Sequence, residues 1–555
     1  MAGQLRGKGV RHIGFVLVGW YRGGAHQEVS LGHNVFFLFD SRLAMKKIQT
    51  IGIVGAGAMG RGIAQIAAQA GHTVLLFDLN REAVEAARDH LRQMWEKLAA
   101  KGKINAQAAA ESLLRVLPCA DMADLKAADL VVEAVVEHIE AKRDLFSRLE
   151  DIVAQDCILA SNTSSLSITS IAAACRHPER VAGYHFFNPV PLMKVVEVID
   201  GLRGDPAVGD ALMALARAMG HTPVRARDMP GFIVNHAGRG MNIEGLRLAQ
   251  ECVAPFHQVD AIMREQAGFR MGPFELLDLT ALDVSHPVME SIYRQFYDEP
   301  RFRPSPLTAV RLAGGLLGRK TGAGFYRYEQ GRKQIPAEPA PPPLPPDLKV
   351  WLAPYHSVGH MRAAELLKSL GAHVVSGGVP APDALILVTP FGEDTSTLVQ
   401  TCQLDGARTV ALDTLFGLEP GRRRVLMCSP ATQAPWRDAA HALMAGDGTA
   451  VSVINDSPGF VAQRMVATIV NVASDIAQQQ IATPQDIDQA VALGLGYPLG
   501  GPLSMGDELG AGRLLEVLRA MHGVTGDARY RASLWLQRRV QLGLSLRATP
   551  LCQAS

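Results

Sequence analysis

Between residues 50 and 78 the chain carries an ordered run that few backbones accommodate. Thr50 to Val54 is a short apolar segment, and Gly55-Ala56-Gly57-Ala58-Met59-Gly60 follows it at once. Arg61 to Ala70 then has the spacing of a helix with small residues near the glycines, stopped by Gly71. Thr73 to Phe77 is a second apolar strand and ends in Asp78, 18 residues after Gly60. Strand, turn, helix and strand in that order build a parallel unit, and each special residue has a physical reason. Gly55 makes the tight turn, Gly57 lets the backbone approach a pyrophosphate, and Gly60 packs the helix against the strand. The helix N-terminus offers unpaired N–H groups and positive dipole to phosphates. Asp78 accepts hydrogen bonds from a ribose 2′-hydroxyl and repels a 2′-phosphate, so the expected cofactor is NAD rather than NADP.

The following segments extend this unit into a doubly wound sheet. Ala128 to Val136 is an almost continuous apolar run, as a strand buried on both faces requires. Cys157 to Ala160 is a further short strand ending in Ser161-Asn162-Thr163-Ser164-Ser165. Ligands of open α/β sheets sit beyond the carboxyl ends of the strands, so Glu137 and the 161–165 loop are candidates for the crevice. Taken alone, Ser164 reads first as a turn or helix-capping hydroxyl. Glu197 lies inside the apolar strand pattern Met193 to Ile199, and a carboxylate there needs a partner. His185, in Gly183-Tyr184-His185-Phe186-Phe187-Asn188, becomes that partner if the chain doubles back across Pro189 and Pro191. A His–Glu pair suits oxidation of an alcohol: imidazole takes the hydroxyl proton while the carboxylate orients the ring and stabilises the imidazolium.

The segments GAGAMG, VVEAVVE, ASNTSSL, HFFNPVPLMKVVEV, PGFIVN and GRKTGAGFY occur in one order over residues 48–328. In this combination the chain resembles the L-3-hydroxyacyl-CoA dehydrogenase family, in its bacterial 3-hydroxybutyryl-CoA dehydrogenase branch. The resemblance implies NAD-linked oxidation of a (3S)-hydroxyacyl-CoA to the 3-oxoacyl-CoA, with no bound metal. It implies that His185 is the general base paired with Glu197, and that Ser164 and Asn235 hold the substrate oxygen and the reacting geometry. It places Asp78, Glu137, Lys142, Asn188 and Lys320 around the cofactor and Lys101 near the CoA phosphate end. Met94 stands where some members carry a substrate-contacting serine. The acyl group is expected to be short (3-hydroxybutyryl) or dicarboxylic (3-hydroxyadipyl, as in phenylacetate breakdown). A dicarboxylic chain needs a cation, for which Arg239 and Arg247 are candidates, although both read first as solvated charges of a helix face.

An internal repeat sets the rest of the plan. Asp228-Met-Pro-Gly-Phe-Ile-Val-Asn235 returns 228 residues later as Asp456-Ser-Pro-Gly-Phe-Val-Ala-Gln463. The same shift relates Gly268-Phe269 to Gly496-Tyr497, and one further residue relates Gly272-Pro273 to Gly501-Pro502. Both segments have helical spacing and read as two copies of one all-α domain. Between them, Gly331 to Asp347 holds seven prolines in 17 residues, a semi-extended linker. Residues 348–450 read as a worn α/β unit lacking the glycine cradle, the SNTSS loop and the HFFNP segment. The expected fold class is therefore an α/β Rossmann-type NAD domain plus an all-α domain, followed by a degenerate second α/β and all-α repeat. The expected boundaries are an N-terminal extension without a role in the fold at 1–44, then 45–227, 228–330, the linker 331–347, 348–450 and 451–548. In the resembled family helical domains form the dimer contact, which implies an intrachain pseudo-dimer here, with a homodimer as an alternative.

Composition excludes other classes. Lys and Arg total 55 against 54 Asp and Glu, so neither a nucleic-acid binder nor an acidic tail is expected. Seven scattered cysteines without a C-x-x-C pair disfavour a disulfide framework or zinc site and point to a reducing, cytoplasmic setting. No apolar run reaches the roughly 20 residues of a membrane span. The alternatives to the acyl-CoA reading are a dehydrogenase of free hydroxy or sugar acids, and a cofactor-binding protein without turnover.

Overall fold

The computed structural model describes residues 47–549, so the extension expected at 1–44 lies outside the described residues. The first sheet consists of β1 (Thr50–Val54), β2 (Thr73–Phe77), β3 (Val116–Pro118), β4 (Leu130–Glu133), β5 (Ile158–Ser161), β6 (Val181–Phe186), β7 (Val195–Asp200) and β8 (Thr222–Arg227). Its order is β3-β2-β1-β4-β5-β6-β7-β8, parallel throughout except for β6 against β7. Strand order reverses between β1 and β4, so their carboxyl ends diverge and leave the crevice where such sheets take ligands. Strands β4 and β6 are buried at every position, which places Glu133 and His185 inside the sheet among apolar neighbours. Helices follow from Val234 to Ala313, beginning with Val234–Gln250.

The second sheet is smaller. It contains β9 (Lys349–Leu352), β10 (His373–Val374), β11 (Ala384–Val388), β12 (Thr409–Leu412), β13 (Arg424–Cys428) and β14 (Val451–Asn455), in the order β10-β9-β11-β12-β13-β14. Again one neighbouring pair, β12 and β13, is antiparallel. The 228-residue shift carries β6, β7 and β8 onto β12, β13 and β14, so the repeat extends beyond the helices into the sheet. It also moves a boundary. Strand β14 lies past the expected edge at 450, because the repeat of β8 ends at 455. At the linker, Arg332–Lys333 pairs with Tyr328–Glu329 in a short hairpin, and the irregular proline-rich run starts after it.

Hydrogen-bonded aspartates, Asp260 and Asp488 buried and Asp228 and Asp456 half-buried, explain which repeat residues survived. Asp228 accepts from Ser167 Oγ and from the N–H groups of Ile168 and Thr169, and Asp456 accepts from Thr395 N, Ser396 N and Ser396 Oγ. Asp260 accepts from Phe274 N and Glu275 N, and Asp488 from Leu503 N and Ser504 N. A Cβ on Gly272 would lie 2.1 Å from Asp260 Oδ1, and one on Gly501 would lie 2.5 Å from Asp488 Cα, so both Gly-Pro steps are fixed by close approach.

The two helical copies pack through their long first helices, Val234–Gln250 and Val461–Gln478. At Gly240 the backbones come so close that a Cβ would sit 2.9 Å from Ile469 Cα. Arg464, on the second of these helices, is buried and bonds Glu244 and Glu251 of the first. Its counterpart 228 residues earlier is His236, buried between the rings of Phe296 and Phe302 with neither nitrogen hydrogen-bonded. Burial, and secondarily the charges of Arg301 and Arg239, push the His236 pKa down to about 3. The unfolded chain therefore binds a proton near pH 6.5 that the folded chain refuses, and stability falls as pH drops from about 6.5 toward 3. Replacing His236 by Phe is expected to flatten this acid limb. Melting temperature measured from pH 7 to pH 4 checks it, and an unchanged slope would refute it.

Candidate active site

Antiparallel pairing of β6 and β7 sets His185 directly opposite Glu197. Cross-strand partners share a face of the sheet, and here they bond: His185 Nδ1 lies 2.6 Å from Glu197 Oε2. The other carboxylate oxygen, Oε1, accepts from Ile233 N at 2.9 Å and Val234 N at 2.8 Å. Glu197 is thus a 0% exposed anion held by an imidazole and by the N–H groups that open the helix Val234–Gln250. Phe187 and Phe232 flank the His185 ring, with centroids at 4.4 and 6.0 Å. With Nδ1 engaged, Nε2 is the nitrogen left to exchange a proton.

The loop after β5 is organised by a second carboxylate. Glu137 Oε1 accepts from Thr163 Oγ1 at 2.6 Å, Ser164 N at 2.8 Å and Ser164 Oγ at 3.1 Å. Lys142 Nζ sits 2.5 Å from Glu133 Oε1 and 3.4 Å from Glu137 Oε2, and Ser161 Oγ donates to Glu133. Burial alone would raise the Glu137 pKa, but Lys142 and the Thr163 and Ser164 hydrogen bonds outweigh it and hold the carboxyl below its ordinary value. Asn235 Nδ2 donates to Ser164 O at 3.1 Å, which ties this loop to the helix whose first N–H groups hold Glu197. His185, Glu197, Ser164, Asn235 and Glu137 therefore belong to one connected constellation.

The glycine loop fits its expected work. Gly55 has φ +110°, and a Cβ on Gly60 would meet Gly55 O at 1.8 Å, so helix and strand close only over glycine. A Cβ on Gly57 would point into open space, which leaves room for a pyrophosphate. Asp78 receives Ala56 N at 2.8 Å and Asn80 N at 2.9 Å, placing its carboxylate against the loop.

Of the other expected residues, Lys142 joins the Glu137 network, and the rest are exposed or have local partners. Lys142 is 1% exposed and spends its charge on Glu133 and Glu137, so it stiffens the loop instead of reaching solvent. Asn188 is exposed at a cis bond to Pro189, Lys101 is exposed at the end of the helix Arg81–Ala100, and Lys320 pairs with Asp283. Met94 Sδ accepts from Gln65 Nε2. Arg247 pairs with Glu251. Arg239 corrects the expectation of a solvated charge: it is 5% exposed. Sequence reasoning missed Glu133, although a carboxylate within LVVE carries the same signal as Glu197.

The second copy lacks this chemistry. Asp413 and Val425 occupy the cross-strand positions of His185 and Glu197, with Asp413 N donating to Val425 O. Asp413 accepts from Leu415 N, Gln463 Nε2 and Gln266 Nε2, and burial raises its pKa above the ordinary aspartate value.

Comparison with known proteins gives the same division. The family described as 3-hydroxyacyl-CoA dehydrogenase, NAD binding domain, matches residues 50–229. The family described as its C-terminal domain matches twice, at 231–328 and 459–550. The chain belongs to the 3-hydroxyacyl-CoA dehydrogenase family. It is 36% identical over 501 residues to the 3-hydroxyadipyl-CoA dehydrogenase of Escherichia coli K12, covering 90% of this chain and 98% of that one. A 3-hydroxybutyryl-CoA dehydrogenase of Clostridioides difficile is 39% identical over 280 residues, 50% of this chain and 99% of that one. The crystal structure of a 3-hydroxybutyryl-CoA dehydrogenase from Escherichia coli K12 superposes with a TM-score of 0.78 at 35% identity, covering 89% and 98% of the two chains. The chain is accordingly an NAD-dependent dehydrogenase of that family. Among the described residues no helix is long and apolar enough to cross a membrane.

Proposed function

We propose that the chain reversibly oxidises the hydroxyl of a (3S)-3-hydroxyacyl-CoA, short as in 3-hydroxybutyryl or dicarboxylic as in 3-hydroxyadipyl, at one site in its first half. Fatty-acid β-oxidation or phenylacetate breakdown would supply such thioesters. The observation that carries this reading is the buried His185–Glu197 bond of 2.6 Å. Bound NAD supplies the hydride acceptor. His185 Nε2 takes the hydroxyl proton as the carbonyl forms, and the ring, held through Nδ1, becomes an imidazolium beside an anion already in place. Glu197 needs no rearrangement to stabilise it, because two backbone N–H groups fix its other oxygen. Ser164 and Asn235 hold the substrate oxygen, which their mutual hydrogen bond supports by locking loop to helix. Gly55, Gly57, Gly60 and Asp78 hold the dinucleotide. Glu137 and Lys142 shape the wall beside it, with Asn188 and Lys320 at its edge, and Lys101 serves the CoA phosphates.

We assign the two helical copies to an intrachain pseudo-dimer, which the burial of Arg464 against Glu244 supports. The seven scattered cysteines, with no C-x-x-C pair, suit a reducing cytoplasm. The decisive assay is NADH consumption with acetoacetyl-CoA beside free acetoacetate and NADPH. Turnover is expected with the thioester and NADH alone. Equal turnover of free acetoacetate would replace this reading with that of a free-acid dehydrogenase.

A further inference from the structure

A guanidinium removed from water requires an anion. Among the described residues eight arginines are buried, and seven of them lie within 4 Å of a carboxylate, such as Arg180 at Glu150, Arg301 at Asp475 and Arg424 at Asp447. Arg239 is the exception. Its Nε donates to Asn235 O at 2.9 Å one turn back along the same helix, and its buried Nη1 has no partner. The same contrast holds for tyrosines: Tyr184, Tyr326 and Tyr530 bond through their hydroxyls, whereas the buried Tyr497 hydroxyl has no partner.

These two groups come from different copies and meet. A Cβ on Gly238 would lie 3.3 Å from Leu495 Cδ1, and one on Gly494 would lie 3.1 Å from Val234 Cγ1, so the segment carrying Tyr497 packs on the start of the helix that carries Asn235 and Arg239. Tyr497 replaces Phe269 of the first copy, and the two rings pack edge to face at 5.0 Å. The second copy therefore adds a hydroxyl where the repeat had hydrocarbon. Burial depresses the Arg239 pKa to about 10, while its interaction with Tyr497 works in the opposite direction. A guanidinium at that value is still charged at neutral pH. Arg239 Nη1 and the Tyr497 hydroxyl are thus two buried polar groups without a hydrogen-bond partner, and Arg239 stands a helical turn beyond Asn235 of the reaction site.

We propose that Arg239 and Tyr497 close the acyl-chain end of the site and bind the distal carboxylate of a dicarboxylic 3-hydroxyacyl-CoA. This rests on the reaction assigned above and selects among its substrates. It also gives the second copy, which has no base of its own, a part in substrate choice.

The test is the ratio of kcat/KM for 3-oxoadipyl-CoA to that for 3-oxohexanoyl-CoA, thioesters of equal length that differ at the terminal carboxylate. Any general damage from a substitution divides out of this ratio. The parent is expected to favour the diacid by about 10²-fold or more, since a site built for a polar group rejects the analogue lacking it. Arg239→Met is expected to bring the ratio close to unity, Arg239→Lys to keep an intermediate value, and Tyr497→Phe to lower it severalfold. Arg239→Met is also expected to melt higher than the parent, because an uncompensated buried charge is lost. A parent ratio near unity, which needs no variant to measure, overturns the proposal, and so does an Arg239→Met enzyme with the parent's ratio. A parent inert toward both thioesters overturns the reaction assignment and this inference with it, a result distinct from an active enzyme indifferent to the carboxylate.

Discussion

Glu197→Gln is expected to bind NADH as tightly as the parent and to turn over acetoacetyl-CoA about 10³-fold more slowly. The substitution is isosteric, and its amide oxygen can still accept from Ile233 N and Val234 N, which fixes the orientation of the group. The amide nitrogen then faces His185 Nδ1 as a donor. Nδ1 must accept, so the proton moves to Nε2, and the nitrogen assigned to take the substrate proton already carries one. The imidazolium also loses its neighbouring anion. Glu197 lies beneath the histidine and away from the glycine loop, so the loss should fall on kcat, with NADH affinity by fluorescence titration near normal. Parental turnover would refute the assignment of this pair.

The second large effect concerns stability. Arg464→Met is expected to cost about 3–5 kcal/mol, the usual penalty for leaving one half of a buried ion pair behind. Arg464 bonds Glu244 through Nε at 2.8 Å, Glu251 through Nη1 at 2.7 Å and the Tyr530 hydroxyl through Nη2 at 2.9 Å. Burial opposes its charge, but Glu244, Tyr530 and Glu251 outweigh that and hold the guanidinium more firmly protonated. Without it Glu244, 1% exposed, keeps the Tyr530 hydroxyl as its partner but no cation. Replacing Arg464 by Met and Glu244 by Leu together should recover most of the loss, since an apolar pair of similar volume avoids the desolvation cost. Urea midpoints of the two single variants and the double variant measure the coupling. A double variant as unstable as the sum of the singles would show that the network contributes nothing beyond its separate contacts.

What the sequence made legible follows from distance along the chain. The glycine loop, the two PGF segments and the Gly-Pro steps are local patterns whose geometry is decided within a few residues. The His185–Glu197 pair was within reach because a hairpin joins its strands and a carboxylate in an apolar strand demands a partner. Glu133 carries the same signal, but its partner Lys142 lies nine residues on, on the following helix, and no strand pairing in the sequence points one at the other. Asp413 could be recognised as the stand-in for His185 only from the pairing of β12 with β13. Arg239 was read as solvated because nothing nearby in sequence announces that residues 494–497 cover it. The contacts of Arg464 with Glu244 and of Gln266 with Asp413 join residues 220 and 147 positions apart, and no local pattern encodes them.

The proline-rich segment after residue 333 leads into the second sheet, and through that folded unit the second helical copy is joined to the first; a covalent connection of this kind acts as a fixed local supply of partner. A two-chain enzyme must find its other half by diffusion, so its melting temperature drops as it is diluted. Here both faces of the Gly240–Ile469 contact arrive on one polypeptide in strict one-to-one ratio, and this association holds however few copies the solution contains.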